Sequence, residues 1–447
     1  MSGLSPELLA ALAMVLLIGG VLFVRIPVAL LLALLGFGGY ALLDDLSRAV
    51  SMVGNELWST FSSYGLTVIP LFILMGQICF HSGMSERLYA AVHAWSGHRK
   101  GGIAVATMLA CGGFSAICGS NTATAATMSS VALPEMRKYG YHPVLASGTV
   151  AAGTTLGAVI PPSVVAIVVG VQTASSIERL FLGGVMPGLI LLAGFLAIVV
   201  WITRRHPSWA PAGGRLPLSA KLRATSGLLE TALLFVLVIC GLSSGLFTPT
   251  EAGAAGAGLA LLIGAARRSL SLRGFVKALD ESLRISAMIF LLMAGAAMFG
   301  KFLTLTRLPF TLAEWIAGLA VSPVLILLLV ALIYLVGGMI MDALALLVVT
   351  IPIFFPLAES MGWDPLWFSI FLITITTMGA ITPPVGVSAF VVSSMSGRVG
   401  GGSQIPLAQV FRGAAYFLPA FAVCLVLMTV FPKVATWLPD MVRPFGG

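Results

Sequence analysis

The sequence has 447 residues, of which 59% are hydrophobic and 9% are charged, and its formal net charge is +8. Soluble domains carry about 25% charged residues, so the composition excludes an ordinary soluble fold and predicts a polytopic membrane protein. The basic residues concentrate in polar segments between apolar runs, which fits cytoplasmic loops and does not indicate a nucleic-acid partner. The five cysteines show no CxxC spacing and the sequence has no Walker motif, so no disulfide framework, metal cluster, ATP site or cofactor is predicted.

The first half contains apolar runs close to the roughly 20 residues that a membrane-spanning helix needs. The predicted spans are 8–24, 26–43, 62–80, 142–171 and 180–203. Residues 84–100 mix charged side chains with Leu88 and Trp95, which predicts an amphipathic helix in the membrane interface. Residues 134–143 are predicted to form a polar connection, and residues 204–223 a basic linker.

Residues 101–133 are long enough to enter and leave the membrane, but their centre is rich in Gly, Ser and Thr. Non-helical backbone is tolerated at membrane depth only where protein or a water-filled cavity surrounds it. This stretch is therefore predicted to form a re-entrant helical hairpin with its tip at residues 119–122.

The second half repeats this order of elements. Its predicted spans are 228–246, 250–266, 282–303, 366–392 and 407–430. Residues 267–280 are predicted to be a basic connection, and residues 308–320 correspond to the amphipathic helix of the first half. Residues 323–356 are predicted to form a second re-entrant hairpin with Asp342 near its centre.

Two interrupted apolar segments have closely similar sequences. TTLGAVIPP begins at Thr154 and TTMGAITPP begins at Thr376, so each matching pair lies 222 residues apart. Compared without gaps, residues 134–162 and 356–384 share ten identities. A proline pair interrupts a helix because proline lacks the backbone donor. Two interrupted segments at corresponding positions of two halves predict the binding site of a transporter.

The charge distribution predicts the orientation of the spans. With the basic linker in the cytoplasm, both termini lie outside. Five spans and one hairpin per half make an odd number of crossings, so the two halves are predicted to have opposite orientations. The predicted fold is an all-α integral membrane protein, an inverted repeat of residues 1–223 and 224–447 with two broken helices.

The hairpin tips and the interrupted spans are predicted to meet near mid-membrane. Sodium binds hard oxygen ligands, which hydroxyls, an amide, a carboxylate and freed backbone carbonyls can supply. The predicted cation ligands form two symmetry-related sets: Ser120, Asn121, Thr154, Thr155, Gly157 and Pro161, and Asp342, Thr376, Thr377, Gly379, Thr382 and Pro383. An organic anion is predicted between the two sets, at Thr122, Thr124, Pro162 and Pro384.

Structural alternatives stand beside these assignments. A serine or threonine in a membrane helix commonly bonds to its own helix or packs against a neighbour. Asp342 is the one acid well inside an apolar hairpin, and an ionisable group there is a functional candidate by default. The alternative for Asp342 is a helix cap or an internal ion pair.

Five segments in this order resemble the large membrane subunit of the tripartite ATP-independent periplasmic (TRAP) transporters. They are GGFSAICGSNTATAATMSSVALPEMRKYGYHP, GTTLGAVIPPS, FTPTEAGAAGA, GGMIMDALALLVVTIPIFFP and GAITPPVGV. The resemblance covers essentially the whole chain. It implies sodium-coupled uptake of organic acids such as C4-dicarboxylates, keto acids or sialic acid across the bacterial inner membrane. It also implies two partners, a periplasmic substrate-binding protein and a separate small four-helix membrane subunit.

The resemblance further implies an elevator mechanism. Residues 101–203 and 323–431 would then form the mobile part, while 1–100 and 224–322 would form the scaffold. The family's cation ligands correspond to the first tip, the two interruptions and Asp342.

Other functions are weighed against this one. A stand-alone sodium/dicarboxylate symporter of the same superfamily is the main alternative, and it would transport without partners. An ion channel is disfavoured by the proline-interrupted repeat. A membrane enzyme is disfavoured because no catalytic His, Asp and Ser set or metal cluster faces the core, so no catalytic residue is predicted.

Overall fold

The computed structural model describes residues 5–20, 26–318, 321–399 and 403–442, and this part of the chain is helical without any strand. Among these residues, seven helices have the length and composition to cross a membrane: Tyr64–His81, Pro143–Gln172, Ile177–Arg205, Leu218–Ser243, Leu272–Thr306, Pro323–Ile340 and Ala343–Ser360. A bent pair, Leu407–Ala415 with Leu418–Val430, would make an eighth. The prediction of an all-helical membrane protein is confirmed.

The helices are numbered in chain order. Those of the first half are α1 (Pro6–Gly19), α2 (Val28–Leu43), α3 (Leu46–Phe61), α4 (Val68–His81), α5 (Met84–Ser96), α6 (Gly102–Cys118), α7 (Asn121–Lys138), α8 (Pro143–Thr154), α9 (Leu156–Val159), α10 (Val164–Gln172), α11 (Ile177–Arg205) and α12 (Leu218–Ala224).

Those of the second half are α13 (Ser226–Ser243), α14 (Pro249–Ala266), α15 (Leu272–Thr306), α16 (Leu308–Gly318), α17 (Pro323–Ile340), α18 (Ala343–Ser360), α19 (Pro365–Gly379), α20 (Val387–Arg398), α21 (Leu407–Ala415), α22 (Leu418–Val430) and α23 (Lys433–Met441). Short 3₁₀ turns, Tyr64–Thr67 and Pro207–Trp209, precede α4 and follow α11.

Two predicted boundaries are wrong. Residues 134–143 are not simply a connection, because α7 continues through Pro134 to Lys138. Residues 267–280 are partly helical, since the 35-residue α15 begins at Leu272 and extends past the predicted span on both sides. The predicted span 407–430 corresponds to α21 and α22, with a bend of 44° between them.

Some predicted segments lie partly outside the described residues. This applies to the end of the span 8–24 and to the end of the amphipathic segment 308–320.

Helix starts follow local sequence chemistry. Proline occupies the first turn of several helices, where its missing donor has no intrahelical partner to lose. Side chains of Ser163, Ser176 and Asp364 accept hydrogen bonds from the first turns of α10, α11 and α19. These caps define where each apolar run becomes a helix.

The two halves of the chain interlock. Helix α2 packs along α15, α4 packs against α14 and α15, and α8 packs against α21. At the last contact Gly148 faces Gly413 so closely that a Cβ on Gly148 would lie 2.3 Å from the Gly413 carbonyl carbon. Glycine at this crossing lets the two helix backbones approach each other.

Each half contains a helical hairpin followed by a broken helix. Hairpin 1 consists of α6 and α7, and hairpin 2 consists of α17 and α18. The broken helices are α8–α10 and α19–α20, and the interruptions contain the cis peptides Pro161–Pro162 and Pro383–Pro384. The predicted helix interruptions at the two proline pairs are confirmed.

Candidate functional site

The tips of the two hairpins line the same cavity. This space, called the tip cavity here, has a volume of about 670 Å³. Residues 118–123 of hairpin 1 and 342–345 of hairpin 2 line it, together with Val164 and Val165 at the start of α10. A further wall comes from α2, α4 and α15 and consists of Pro27, Val28, Ala29, Ile73, Gln77, Ile285, Met288, Ile289 and Leu292.

Tip 1, Gly119 and Ser120, is held by its own helix and by the neighbouring interruption. The Ser120 side chain caps α7 and lies 3.3 Å from the Thr122 hydroxyl. Gly119 has a φ of +60°, and a Cβ there would lie 2.8 Å from the Pro162 carbonyl oxygen. The Val164 N–H donates to the Gly119 carbonyl at 3.2 Å, which joins tip 1 to α10.

Asn121 carries an unpaired polar atom at this tip. The residue is 5% exposed, and its Oδ1 has no hydrogen-bond partner among the described residues. A buried amide oxygen without a partner destabilises the fold by about 1–3 kcal/mol. The Asn121 oxygen is thus available to a cation or to a donor group of a ligand.

Tip 2, Met341 and Asp342, has the same cap geometry. Asp342 caps α18, and its Oδ2 accepts a hydrogen bond from the Leu344 N–H at 3.1 Å. Asp342 therefore is a helix cap, as the structural alternative held, and it also lines the tip cavity. Ser120 and Asp342, 222 residues apart, are the caps of corresponding helices.

Tip 2 is also joined to its broken helix. The Gly386 N–H donates to the Met339 carbonyl at 2.8 Å. A Cβ on Gly338 would lie 2.4 Å from the Thr376 carbonyl oxygen, so α17 and α19 meet backbone to backbone. In the first half of the chain, a Cβ on Gly157 would lie 3.2 Å from the Ser120 carbonyl oxygen of tip 1.

The threonines predicted as cation ligands occupy a different environment from the tips. All five donate to backbone carbonyls three or four residues earlier at 2.6–2.9 Å, and they are Thr154, Thr155, Thr376, Thr377 and Thr382. None of them lines the tip cavity. Ser120, Asn121, Thr122 and Asp342 do line it. Gly157 packs closely against Ser120 and Gly379 against Gly338. Pro161 and Pro162 are buried, whereas Pro383 and Pro384 are exposed. Thr124 is buried on α7, and its Oγ1 has no partner among the described residues.

Gln77 was not among the predicted site residues. It lies on α4 and lines the tip cavity, and its buried Oε1 has no hydrogen-bond partner in the described part of the chain. The signal in the sequence was a single glutamine inside the apolar run 62–80. Only tertiary packing reveals that this side of α4 faces the hairpin tips.

A second cavity lies at the opposite ends of α10 and α18. This far cavity has a volume of about 570 Å³ and is lined by Gln172 and Thr173 at the end of α10 and by Glu359 at the end of α18. Glu56 of α3 also lines it, and the Lys301 ammonium lies 3.7 Å from the Glu56 carboxylate. The tip cavity lies at the starts of α10 and α18, so the two helices extend between the two cavities.

The sequence matches a family of membrane transport components. The family model described as "Tripartite ATP-independent periplasmic transporter, DctM component" matches residues 12–434. The chain is 35% identical to the C4-dicarboxylate TRAP transporter large permease protein DctM of Pseudomonas aeruginosa, over 88% of this chain and 90% of that protein. It is 30% identical to the sialic acid TRAP transporter large permease protein SiaM of Vibrio cholerae, over 96% of this chain and 98% of that protein.

The fold also resembles a solved structure with a distant sequence. The YdaH transporter of Alcanivorax borkumensis aligns with a TM-score of 0.60 at 16% identity, over 98% of this chain and 99% of that one. This likeness extends over nearly the whole chain and concerns the fold alone.

Proposed function

We propose that this chain, which belongs to the DctM component family of the tripartite ATP-independent periplasmic transporters, performs sodium-coupled uptake of an organic acid anion. The family is a transporter permease component and not an enzyme family. The observation that carries the proposal is the meeting of both hairpin tips, one of them bearing the Asp342 carboxylate, on one cavity.

The chemistry of this cavity suits a cation and an anion together. Asp342 contributes negative charge, while Ser120, Asn121 and Thr122 contribute neutral oxygens. The starts of α7 and α18 also lie at the cavity, and a helix start carries roughly half a positive charge. We infer that sodium binds at the tips and the interruptions behind them, and that its charge helps to hold a carboxylate near the helix starts.

The substrate class is proposed from the relatives. Their names give C4-dicarboxylate and sialic acid as substrates, and a further relative from Ruegeria pomeroyi is an ectoine/5-hydroxyectoine permease. An organic acid anion of the C4-dicarboxylate, keto acid or sialic acid class fits the charge arrangement described above.

We further propose alternating access by an elevator mechanism in an inverted repeat. Residues 101–203 and 323–431, which contain both hairpins and both broken helices, would move as one body against residues 1–100 and 224–322. Two cavities at opposite ends of α10 and α18 support this mechanism, because a carrier exposes its site to the two sides of the membrane in turn.

The proposed partners are a periplasmic substrate-binding protein and a small four-helix membrane subunit. The isethionate permease DctMQ of Oleidesulfovibrio alaskensis aligns with 95% of this chain, but the alignment covers only 65% of that longer protein. This supports a small membrane subunit as a partner, which is fused to the permease in that relative. We propose the bacterial inner membrane as the location, with both termini periplasmic.

The experiment is uptake into proteoliposomes that contain this chain and its small membrane subunit. Labelled succinate, pyruvate and N-acetylneuraminate are supplied with and without the binding protein, and with and without an inward sodium gradient. Uptake of one anion that requires both sodium and the binding protein is the expected result. Uptake by this chain alone would favour the stand-alone symporter, and currents far above carrier turnover would favour a channel.

A further inference from the structure

The wall that α2, α4 and α15 contribute to the tip cavity is apolar with one exception. Of its described residues on α2, α4 and α15, only Gln77 carries a polar side chain. Its neighbour one turn earlier on α4, Ile73, lines the same wall and is buried. A substrate lying against the tips would therefore meet a single polar group on this wall.

The Gln77 side chain makes no hydrogen bond within the described residues, and its Oε1 is buried without a partner there. Asn121, which lines the same cavity, also has a buried Oδ1 without a partner, and this oxygen lies beside Gly157 of the first interruption. Burying a polar atom without a partner is unfavourable, and such atoms in a cavity are expected to be satisfied by a bound ligand or by ordered water.

We propose that Gln77 is a substrate-contacting residue, which sets the affinity of the site for the organic anion from the α4 part of the cavity lining. This inference rests on the proposed function. An amide offers two N–H donors to a carboxylate and one oxygen acceptor to a hydroxyl or amino group of the same molecule. Gln77 therefore recognises a carboxylate whose remainder carries a donor, without placing a charge on the wall.

The position of Gln77 separates its role from that of the cation ligands. It lies on α4, outside both hairpins and both broken helices, whereas the proposed sodium ligands all belong to those elements. A loss of Gln77 thus changes anion affinity and leaves sodium affinity in place.

The test uses the full chain assembled with its small membrane subunit. Equilibrium binding of succinate, pyruvate or N-acetylneuraminate is measured, using the one that the unaltered complex transports, together with the sodium concentration for half-maximal binding. Gln77→Leu removes the amide at similar size, and Gln77→Glu keeps the shape but adds a negative charge. Ile78→Val, on the same helix but outside the cavity lining, is the matched control, and thermal unfolding of each variant reports folding.

We expect Gln77→Leu to weaken anion binding about tenfold, since a hydrogen bond to a charged group is lost. Gln77→Glu should weaken it further, while Ile78→Val stays near the unaltered protein, and sodium half-saturation should stay within about twofold in all three.

Three results would overturn the assignment. Unchanged anion affinity in well-folded Gln77→Leu would show that water alone satisfies the amide. A shift in sodium affinity without a shift in anion affinity would make Gln77 a cation ligand. An unaltered complex that neither binds nor takes up any of the three anions would reject the proposed function, and the role of Gln77 with it.

Discussion

The Arg137 guanidinium donates a hydrogen bond to the Ser396 carbonyl oxygen at 2.8 Å. Arg137 lies in the last turn of α7 and Ser396 in the last turn of α20. The same guanidinium also donates to the carbonyls of Val399 and Ser403. Because α7 starts at tip 1 and α20 starts beside tip 2, this contact joins the far ends of the two helices that lead to the tip cavity.

Replacing Arg137 should separate these two helix ends. Arg137→Gln loses the charge at the end of α20, where carbonyls lack intrahelical partners, so we expect sodium-dependent uptake to fall by about tenfold. Arg137→Lys should restore part of the uptake, since it keeps the charge but not the three-way donation. Arg284→Gln is the control, because Arg284 is exposed and pairs with Asp280 on its own helix. Equal uptake in Arg137→Gln and Arg284→Gln would show that transport does not depend on the contact between Arg137 and the end of α20.

Asp342 caps α18 and also carries a negative charge, and different substitutions can test these two roles separately. Asparagine also caps helices, so Asp342→Asn keeps the cap and removes only the negative charge. We expect Asp342→Asn to fold normally but to lose sodium-stimulated uptake by about tenfold or more, because charged contacts contribute roughly 1.5–3 kcal/mol. Asp342→Ala should lose uptake and also unfold at a lower temperature. Sodium stimulation that survives in Asp342→Asn would exclude the carboxylate as a cation ligand.

Gly338 permits the contact between hairpin 2 and α19. A Cβ at this position would lie 2.4 Å from the Thr376 carbonyl oxygen, which belongs to the backbone and cannot rotate away. Gly338→Ala should therefore destabilise the protein by about 1–3 kcal/mol, as overpacking does, and reduce uptake. Gly258→Ala on α14 is the matched control, since a Cβ there meets nothing within 4 Å. Thermal unfolding of the two variants, measured in the same detergent, decides the outcome.

Glu230 joins the two halves of the chain through a buried ionic cluster. Its carboxylate lies 2.9 Å from the Arg87 guanidinium of α5 and also pairs with Arg267 at the end of α14. Glu230 is 7% exposed, whereas both arginines reach solvent in part. Glu230→Gln should lower the free energy of unfolding by about 2–3 kcal/mol. This is less than the roughly 3–5 kcal/mol lost when one partner of a fully buried ion pair is removed.

The control for Glu230 is Asp280→Asn. Its partner Arg284 is exposed, so the loss should stay under about 1 kcal/mol. Equal unfolding temperatures for the two variants would mean that the cluster adds nothing beyond a surface pair.

His142, which precedes the membrane-spanning segment Pro143–Gln172, should make stability depend on pH. Burial, followed by the positive charges of Arg412 and His206, lowers the pKa of His142 below its ordinary value of about 6.5. Its neutral Nδ1 accepts a hydrogen bond from the Val144 N–H at the start of α8. The unfolded chain therefore takes up the proton first, and stability falls as the pH drops from about 6.5 toward the lowered pKa.

The matched variant is His142→Asn, which caps a helix without titrating. Between pH 7.5 and pH 5.5, the unaltered protein should lose more thermal stability than His142→Asn. Parallel pH profiles for the two proteins would contradict this role of His142.

The sequence by itself determined the class of fold and the positions of its interruptions. Three local signals carried these predictions: apolar runs of membrane length, the recurrence of TTxGAxxPP after 222 residues, and the Gly- and Ser-rich centre of residues 101–133. Such signals do not depend on which residues come into contact in the folded protein. Helix caps are local too, so the correspondence between Ser120 and Asp342 follows from the 222-residue spacing alone. The end of α7 and the start of α15 were not predicted. In the folded protein α7 continues past Pro134 and α15 begins within a basic segment, because tertiary packing stabilises the helices there.

Only the tertiary structure decided which polar groups face one another. A hydroxyl such as that of Thr154 or Thr376 can bond to its own helix or face a cavity, and the choice depends on how the helices rotate as they pack. In the sequence Gln77 is one polar residue in an apolar span, and only the packing of α4 places it in the same cavity as the tips. Contacts between residues hundreds of positions apart, such as Arg137 with Ser396, have no signal in a single sequence because they arise only when the helices assemble.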